Sequence, residues 1–333
     1  MTAILVTGAG GFLGQAVVKD LLGWGCHVRA LARNASHVSS FSQTVEVLTG
    51  DVRDPQCTKR ATLGCESIIH LAGKAHAIDD ERVGDDEYQS VNVDGTRQLL
   101  EGAVAGGVRR FIFASSVKVF GETTNGCLNE GAPPAPETPY ARSKWIAEQV
   151  VASYGKASGM ATVSFRLPLV YGPTDKGNLY RMIAAIDRGR FPALPRLPPV
   201  RSMLHVSNFL LAIRCALASN VFLRPMYVVT DTKPYSITEV YDLLRKGLGL
   251  ESPRWRIPLW ALSWGARCGD VLQILSNHRM PFSSSILEKL IGQAWYSPES
   301  LIREMGYKPQ YDFGSAVPEI VRHYRRTVAR CGS

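Results

Sequence analysis

The chain has 333 residues, 45% of them hydrophobic and 20% charged, which suits one large or two modest domains around a sizeable core and excludes disordered and collagen-like classes. A formal charge of +9 is compatible with nucleic acid, a membrane surface or a phosphorylated small ligand as partner. No run of five basic residues occurs, and the nearest, Arg322-His323-Tyr324-Arg325-Arg326, reads as a solvated helix face, which argues against nucleic acid.

The first element is the apolar run Ala3-Ile4-Leu5-Val6, a strand, followed by Thr7-Gly8-Ala9-Gly10-Gly11-Phe12-Leu13-Gly14 and a helix from about Gln15 to Trp24. A glycine turn between strand and helix lets a pyrophosphate reach the free N–H groups of the helix start, where the dipole favours negative charge. The glycines follow Gly8-x-x-Gly11-x-x-Gly14, so the turn predicts a dinucleotide site that involves Gly8, Gly11, Phe12, Leu13 and Gly14. Further strands are predicted at 26–31, 45–48, 67–71 and 110–114, with helices at 55–63 and 91–105. This alternation predicts a parallel sheet covered on both faces, with ligands at the carboxyl ends of its strands.

The second strand ends at Ala32-Arg33. An acid there would accept the adenosine ribose hydroxyls, whereas Arg33 suits the extra phosphate of NADP. Asp51-Val52 is placed to bracket an adenine, and Leu71-Ala72-Gly73 lets the chain pass close to a ligand. The fifth strand runs into Ser115-Ser116, and Pro139-Tyr140-Ala141-Arg142-Ser143-Lys144 opens a helix. Tyr140 and Lys144, four apart, share one helix face. An ammonium near a phenol stabilises the phenolate, so the pair makes a proton-transfer device.

Towards the C-terminus, Met226-Tyr227-Val228-Val229 reads as a strand returning to the large sheet, and 237–330 reads as mostly helical. The longest apolar stretch, from Ile257 to Leu275, is interrupted by Pro258, Arg267 and Asp270 and is too polar to span a membrane. It reads as a helix packed on its own protein, with an interfacial helix anchored by Trp260 and Trp264 as the other reading. Seven scattered cysteines without CxxC spacing exclude a disulfide framework and a zinc site and point to a reducing compartment. The N-terminus carries no basic region before its apolar run, so no secretory signal is expected.

In this order and at these spacings the chain resembles the extended short-chain dehydrogenases/reductases of the nucleotide-sugar epimerase, dehydratase and reductase type. The matching pieces are the glycine turn, Asp51-Val52, His70-Leu71-Ala72-Gly73, Val91-Asn92-Val93-x-Gly95-Thr96, Phe113-Ala114-Ser115-Ser116-x-x-Val119-Phe120-Gly121, Tyr140-x-x-x-Lys144 and Arg166-x-x-x-Val170-Tyr171-Gly172-Pro173. The resemblance implies an α/β fold: a Rossmann-type, doubly wound parallel sheet with a smaller, mostly helical C-terminal substrate domain. The expected division is 1–168, with returning segments near 203–230, and 169–333.

The resemblance makes Tyr140 the general acid/base, has Lys144 hold the nicotinamide ribose and lower the tyrosine pKa, and puts Ser116 on the reacting sugar oxygen. Asn92 would position the active-site helices. It also implies substrate contacts at Lys118, Gly177, Asn178 and Arg201, the last on a diphosphate, with Pro192, Pro195, Pro198 and Pro199 shaping the loop over a uridine. Leu169 and Ala114 depart from the UDP-glucose epimerase pattern. The string Ser116-Val117-Lys118-Val119, with His70-Leu71-Ala72-Gly73-Lys74-Ala75-His76, is closer to bacterial reductases of UDP-4-keto-6-deoxy-N-acetylhexosamines in polysaccharide synthesis. The expectation is therefore a cytoplasmic, homodimeric enzyme that prefers NADP(H), with NAD(H) possible, and takes a UDP-sugar without metal. The alternatives are a 4-epimerase of UDP-hexose or UDP-N-acetylhexosamine with tightly bound NAD, a 3β-hydroxysteroid-type dehydrogenase, and a cofactor-binding regulator without catalysis.

Overall fold

The computed structural model describes residues 3–34, 38, 41, 44–74, 84–198, 200–253, 255–276 and 283–331. Ala75 and His76 of the extended His70 motif, and Pro199, lie outside the described residues. Eleven strands occur among the described residues: β1 (Ala3–Thr7), β2 (Val28–Ala32), β3 (Glu46–Thr49), β4 (Cys65–His70), β5 (Arg110–Ser116), β6 (Cys127–Leu128), β7 (Ala161–Leu167), β8 (Leu169–Tyr171), β9 (Met203–His205), β10 (Met226–Val228) and β11 (Trp295–Tyr296). The helices are α1 (Phe12–Gly23), α2 (Pro55–Thr62), α3 (Asp85–Tyr88), α4 (Gly95–Ala105), α5 (Pro139–Ser158), α6 (Gly177–Asp187), α7 (Val206–Ala218), α8 (Ile237–Gly247), α9 (Leu259–Ser276), α10 (Ser284–Ile291), α11 (Glu299–Met305) and α12 (Phe313–Cys331).

Seven strands form one parallel sheet in the order β10-β7-β5-β4-β1-β2-β3. From β1 the chain winds outward one way through β2 and β3, then crosses back to β4 and winds the other way. The order therefore reverses between β1 and β4, where a doubly wound sheet opens a crevice at its carboxyl edge. Val6, Ile69, Ile112, Val163 and Phe165 pack one face against α1 and α7, while Leu5, Ile68, Phe111 and Phe113 pack the other against α2, α4 and α5. Cover on both faces explains why these strands read as near-continuous apolar runs. The strand at 226–228 joins this sheet beside β7, as its sequence suggests.

A separate core of Tyr171, Ile183, Tyr241, Leu244, Phe313 and Val317 joins α6, α8 and α12. Two short parallel pairs lie outside the large sheet: β8 with β9, which reaches this second cluster through Tyr171 and Met203, and β6 with β11, which packs with Val117 and Phe120. Local signals set the helix ends that matter for the site. Thr138 caps α5 through Ala141 N and Pro139 occupies its first position, while Gly159, at φ 74, closes it in the left-handed region. Several boundaries move from expectation, two of them for a clear local reason. The first helix begins at Phe12 because Gly11 is its N-cap, and the second strand begins at Val28 because Cys26 and His27 complete the turn after Gly25, at φ 72.

Candidate active site

The glycine turn lies in the crevice between β1 and β4. Gly8 has φ 66, and a Cβ there would stand 2.7 Å from Ala72 N and 2.8 Å from Leu71 C, so the turn and the loop after β4 touch backbone to backbone. Gly14 is held to glycine by a different contact: its Cβ would fall 2.2 Å from Gly8 O, so α1 packs directly on the turn. No side chain caps α1 and its first turn has no acid, which leaves its positive end to an anion. A cradle only glycine backbone can form, facing an uncapped helix start, fits the diphosphate of a nicotinamide dinucleotide. Arg33 is exposed just past β2, next to the buried Ala32. Asp51 accepts from Arg53 N (2.9 Å), Nε (3.0 Å) and Nη2 (2.8 Å), and Arg53, helped by Arg33, holds its carboxyl below the usual range. Val52 is buried beneath Gly95.

Ser116 ends β5 and caps the turn Val117–Phe120, accepting from Lys118 N at 3.2 Å. Tyr140, in the first turn of α5, meets it there. Burial pushes the Tyr140 phenol above its ordinary pKa, and a hydrogen bond from Ser116 pulls the other way. Lys144 follows one turn later on the same helix. Its ammonium donates to Ala114 O at 2.9 Å and lies 4.7 Å from the centre of the Phe113 ring, and burial lowers its pKa to about 8. At the phenol itself desolvation outweighs the Ser116 bond.

Asn92 sits in a π-helical turn, Gln89–Asp94, which continues into α4. Such a turn holds one residue more than an α-helical one and is a common device at functional sites. The buried Asn92 accepts from Lys74 N (2.7 Å) and donates to Lys74 O (3.1 Å) and Ser143 Oγ (2.9 Å), and Ser143 donates in turn to Tyr140 O (2.8 Å). One carboxamide thus joins the loop after β4 to the helix that carries Tyr140 and Lys144. Gly73 completes the junction: its Cβ would stand 3.0 Å from Asn92 Oδ1 and 3.3 Å from Lys144 Nζ.

Two buried groups behind this site carry roles that the sequence did not assign. His70 bonds Thr7 Oγ1 through Nδ1 (2.7 Å) and Thr96 Oγ1 through Nε2 (3.0 Å). Thr96 donates to Asn92 O at 2.6 Å and Thr7 accepts from Ala72 N at 3.1 Å, so only the neutral ring protonated on Nε2 satisfies every partner. Burial, with the Lys144 charge adding to it, takes the His70 pKa down to about 3. Glu148, one turn after Lys144, accepts from Ser115 Oγ (2.5 Å) and from Arg166 Nη2 (2.7 Å) and Nε (3.0 Å), with both ionic side chains 4% exposed. Its charge counters the fall of the Lys144 pKa. The i, i+4 spacing of Lys144 and Glu148 was a legible signal; the partnership with Arg166 on another strand was not.

The expected substrate contacts divide. Gly177, at φ 90, and Asn178 are exposed in the first turn of α6. Lys118 donates to Glu122 Oε2 (2.7 Å) and Glu122 O (3.3 Å). Arg201 pairs through its backbone with Tyr235 and donates from Nη2 to Gly292 O at 3.1 Å, beside a small cleft lined also by Leu197, Pro198, Ile237 and Ile291. Burial lowers its pKa. Tyr296 links the two places: its ring stacks on Phe120 at 5.8 Å, and Arg201 and Glu122 act on its phenol with opposite sign. Leu169 is 44% exposed at the start of β8. A cavity of about 460 Å³ lies at the amino ends of the strands, among Glu66, Arg110 and Met160, and holds none of these residues.

A doubly wound sheet with a glycine cradle at its reversal point and a serine, tyrosine and lysine gathered at the strand ends defines a nicotinamide-dinucleotide enzyme of the oxidoreductase and epimerase class. The chain belongs to the NAD dependent epimerase/dehydratase family, whose pattern matches residues 4–229. It is 30% identical to 2-alkyl-3-oxoalkanoate reductase of Stenotrophomonas maltophilia, over 92% of this chain and 94% of the relative. It is 24% identical to N-acetyl-alpha-D-glucosaminyl-diphospho-ditrans,octacis-undecaprenol 4-epimerase of Escherichia coli O157:H7, over 96% and 94% of the two chains. Among solved structures it is similar to UDP-glucose 4-epimerase of Thermus thermophilus in complex with NAD, at 25% identity and a TM-score of 0.75 over 97% and 99% of the two chains. Among the described residues no helix is long and apolar enough to cross a membrane.

Proposed function

We propose that this chain reduces carbon 4 of a UDP-linked 4-keto-6-deoxy-N-acetylhexosamine with NADPH, in the synthesis of polysaccharide precursors. The observation that carries the reading is Arg33, exposed at the carboxyl end of β2 with Ala32 in place of an acid and a second arginine, Arg53, close by on Asp51. A bound NADPH supplies the hydride to carbon 4. Tyr140 gives its proton to the oxygen that becomes the hydroxyl, and a phenol held above its ordinary pKa stays protonated and ready for that step. Ser116 donates to the same oxygen as negative charge gathers on it, and Lys144 donates to the nicotinamide ribose. Asn92 fixes the spacing of these groups. Arg201 pairs with the diphosphate, and Lys118, Gly177 and Asn178 line the sugar and nucleotide. The named activity of the Stenotrophomonas relative, a ketone reduction, supports the direction of the reaction. The division into a 1–168 cofactor domain and a 169–333 substrate domain, the homodimer and the cytoplasmic location belong to the same reading and are supported by the family resemblance.

A second reading, 4-epimerisation of a UDP-hexose or UDP-N-acetylhexosamine with retained NAD, is favoured by the names of the E. coli relative and the Thermus structure. Cofactor titration separates the two. Under the first reading NADPH binds roughly ten- to a hundredfold more tightly than NADH, the worth of one charge-assisted contact, and the exchange Ala32→Asp with Arg33→Ser reverses the order. Equal binding of both cofactors, or purified protein that already carries NAD, would overturn the reductase assignment.

A further inference from the structure

The helix α9 is packed on one side only. At 100° per residue, Trp260, Trp264, Arg267 and Val271 fall within an arc of about 60°, while Leu262, Ala266 and Gly269 fall on the opposite side. Leu262 and Ala266 are buried with Leu194 and Leu287, so the inner side is a protein core. The outer side faces solvent, with Trp260 69%, Trp264 66% and Val271 55% exposed, and Trp255 just before the helix 72% exposed. Half of the six tryptophans of the chain thus lie within ten residues and outside the core. Exposed large apolar side chains gathered on one patch mark an interaction surface.

The charges around the patch say what it meets. Arg267 is exposed within the aromatic arc. The segment from 188 to 201 contains four arginines and no acid. It lies directly against the start of this patch, since Ile257 N donates to Ala193 O at 2.9 Å and Arg256 Nη1 to Leu194 O at 3.1 Å. Arg188, Arg190 and Arg196 on it are exposed. Two nearby acids are engaged: Asp242 with Arg256, and Asp270 as the acceptor for Ser284 N. Glu251 and Glu288 are exposed and outnumbered. Tryptophan rings over an apolar strip with an arginine rim fit the boundary between lipid headgroups and acyl chains, where an indole buries its ring and keeps its N–H wet.

We propose that the outer face of α9 docks this enzyme on an anionic membrane surface, lying in the interface plane without crossing it. Trp255, Trp260 and Trp264 enter the headgroup boundary, Val271 and Leu272 follow, and Arg267 with the arginines of 188–196 meets the lipid phosphates. The outer face of α9 holds none of the residues assigned to the reaction, so this seat places the enzyme rather than takes part in the reaction.

The test is flotation of the full chain with vesicles of phosphatidylcholine containing about one third phosphatidylglycerol, and with phosphatidylcholine alone. The expected result is binding to the anionic vesicles with a blue shift of tryptophan emission, and loss of most of it as salt rises from about 50 to about 500 mM. The pair Trp260→Ser and Trp264→Ser should weaken binding by more than about tenfold, and Arg267→Ala by about fivefold. Because these side chains are exposed, the far-ultraviolet circular dichroism and melting temperature should stay as in the parent, which separates lost docking from lost fold. Absence of vesicle binding by the parent, or equal binding by the double variant, would overturn the proposal. So would conversion of a dimer to a monomer by the double variant in light scattering, since the face would then cover a second copy.

Discussion

The carboxyl edge of the large sheet and the Arg201 segment hold their candidate functional side chains by different means. At the sheet edge Ser116 is the last residue of a seven-residue strand, the buried Asn92 makes three hydrogen bonds, and Lys144 lies between Ala114 O and the Phe113 ring. Behind them Glu148 and Arg166 form a buried, multiply bonded pair. Each group is fixed by several elements at once. Arg201 sits on two isolated bridges, to Tyr235 and to Ala294, with two backbone bonds to Tyr235 and one guanidinium bond to Gly292 O, beside a proline-rich loop. A site fixed by the fold keeps its chemistry, whereas a site fixed by short loops can change its substrate without endangering the fold.

This contrast can be broken at the sheet edge first. Glu148→Gln removes the negative charge bonded to the buried Arg166, so unfolding free energy should fall by about 3–5 kcal/mol in a denaturant titration. The same change removes the charge that keeps Lys144 protonated. The Lys144 ammonium is present below its pKa of about 8 and is lost above it, so without Glu148 that loss moves to lower pH. Cofactor affinity measured against pH should then decline earlier than in the parent. An unchanged profile with a destabilised protein would mean that Glu148 only holds the fold.

At the second place the expected balance is reversed. Arg201→Ala should leave stability within about 1 kcal/mol, as for a change away from a major core, and should weaken UDP binding by about tenfold, the worth of one charge-assisted contact. Calorimetric titration with UDP checks this. Unchanged UDP affinity would move the diphosphate site elsewhere and favour an apolar substrate.

Much of the sheet edge was legible because its signals are local. The Gly8, Gly11 and Gly14 spacing, Ser116 at the end of an apolar run, and Pro139 before Tyr140 and Lys144 each report on a few consecutive residues. The π-helical turn around Asn92 was not legible, because a helix with one extra residue keeps the composition of an ordinary one. The Glu148–Arg166 pair and the Thr7–His70–Thr96 chain were hidden because they join residues 18, 63 and 26 positions apart. Desolvation also hid the direction of the Tyr140 shift, since burial is a property of the fold and not of the Tyr140 and Lys144 spacing. The apolar 257–275 stretch was half legible. Its Leu262 and Ala266 pack inward as expected of a helix on its own protein, but its tryptophans do not.

The central claim is that Tyr140 delivers the proton to the sugar oxygen as carbon 4 is reduced. Tyr140→Phe keeps the ring and its contact with Tyr88 but removes the proton. Single-turnover oxidation of NADPH with a UDP-4-keto-6-deoxy-N-acetylhexosamine should slow by about 10²-fold or more in this variant, while NADPH affinity stays near that of the parent. Turnover close to the parent rate would contradict the account and assign the proton transfer to another group.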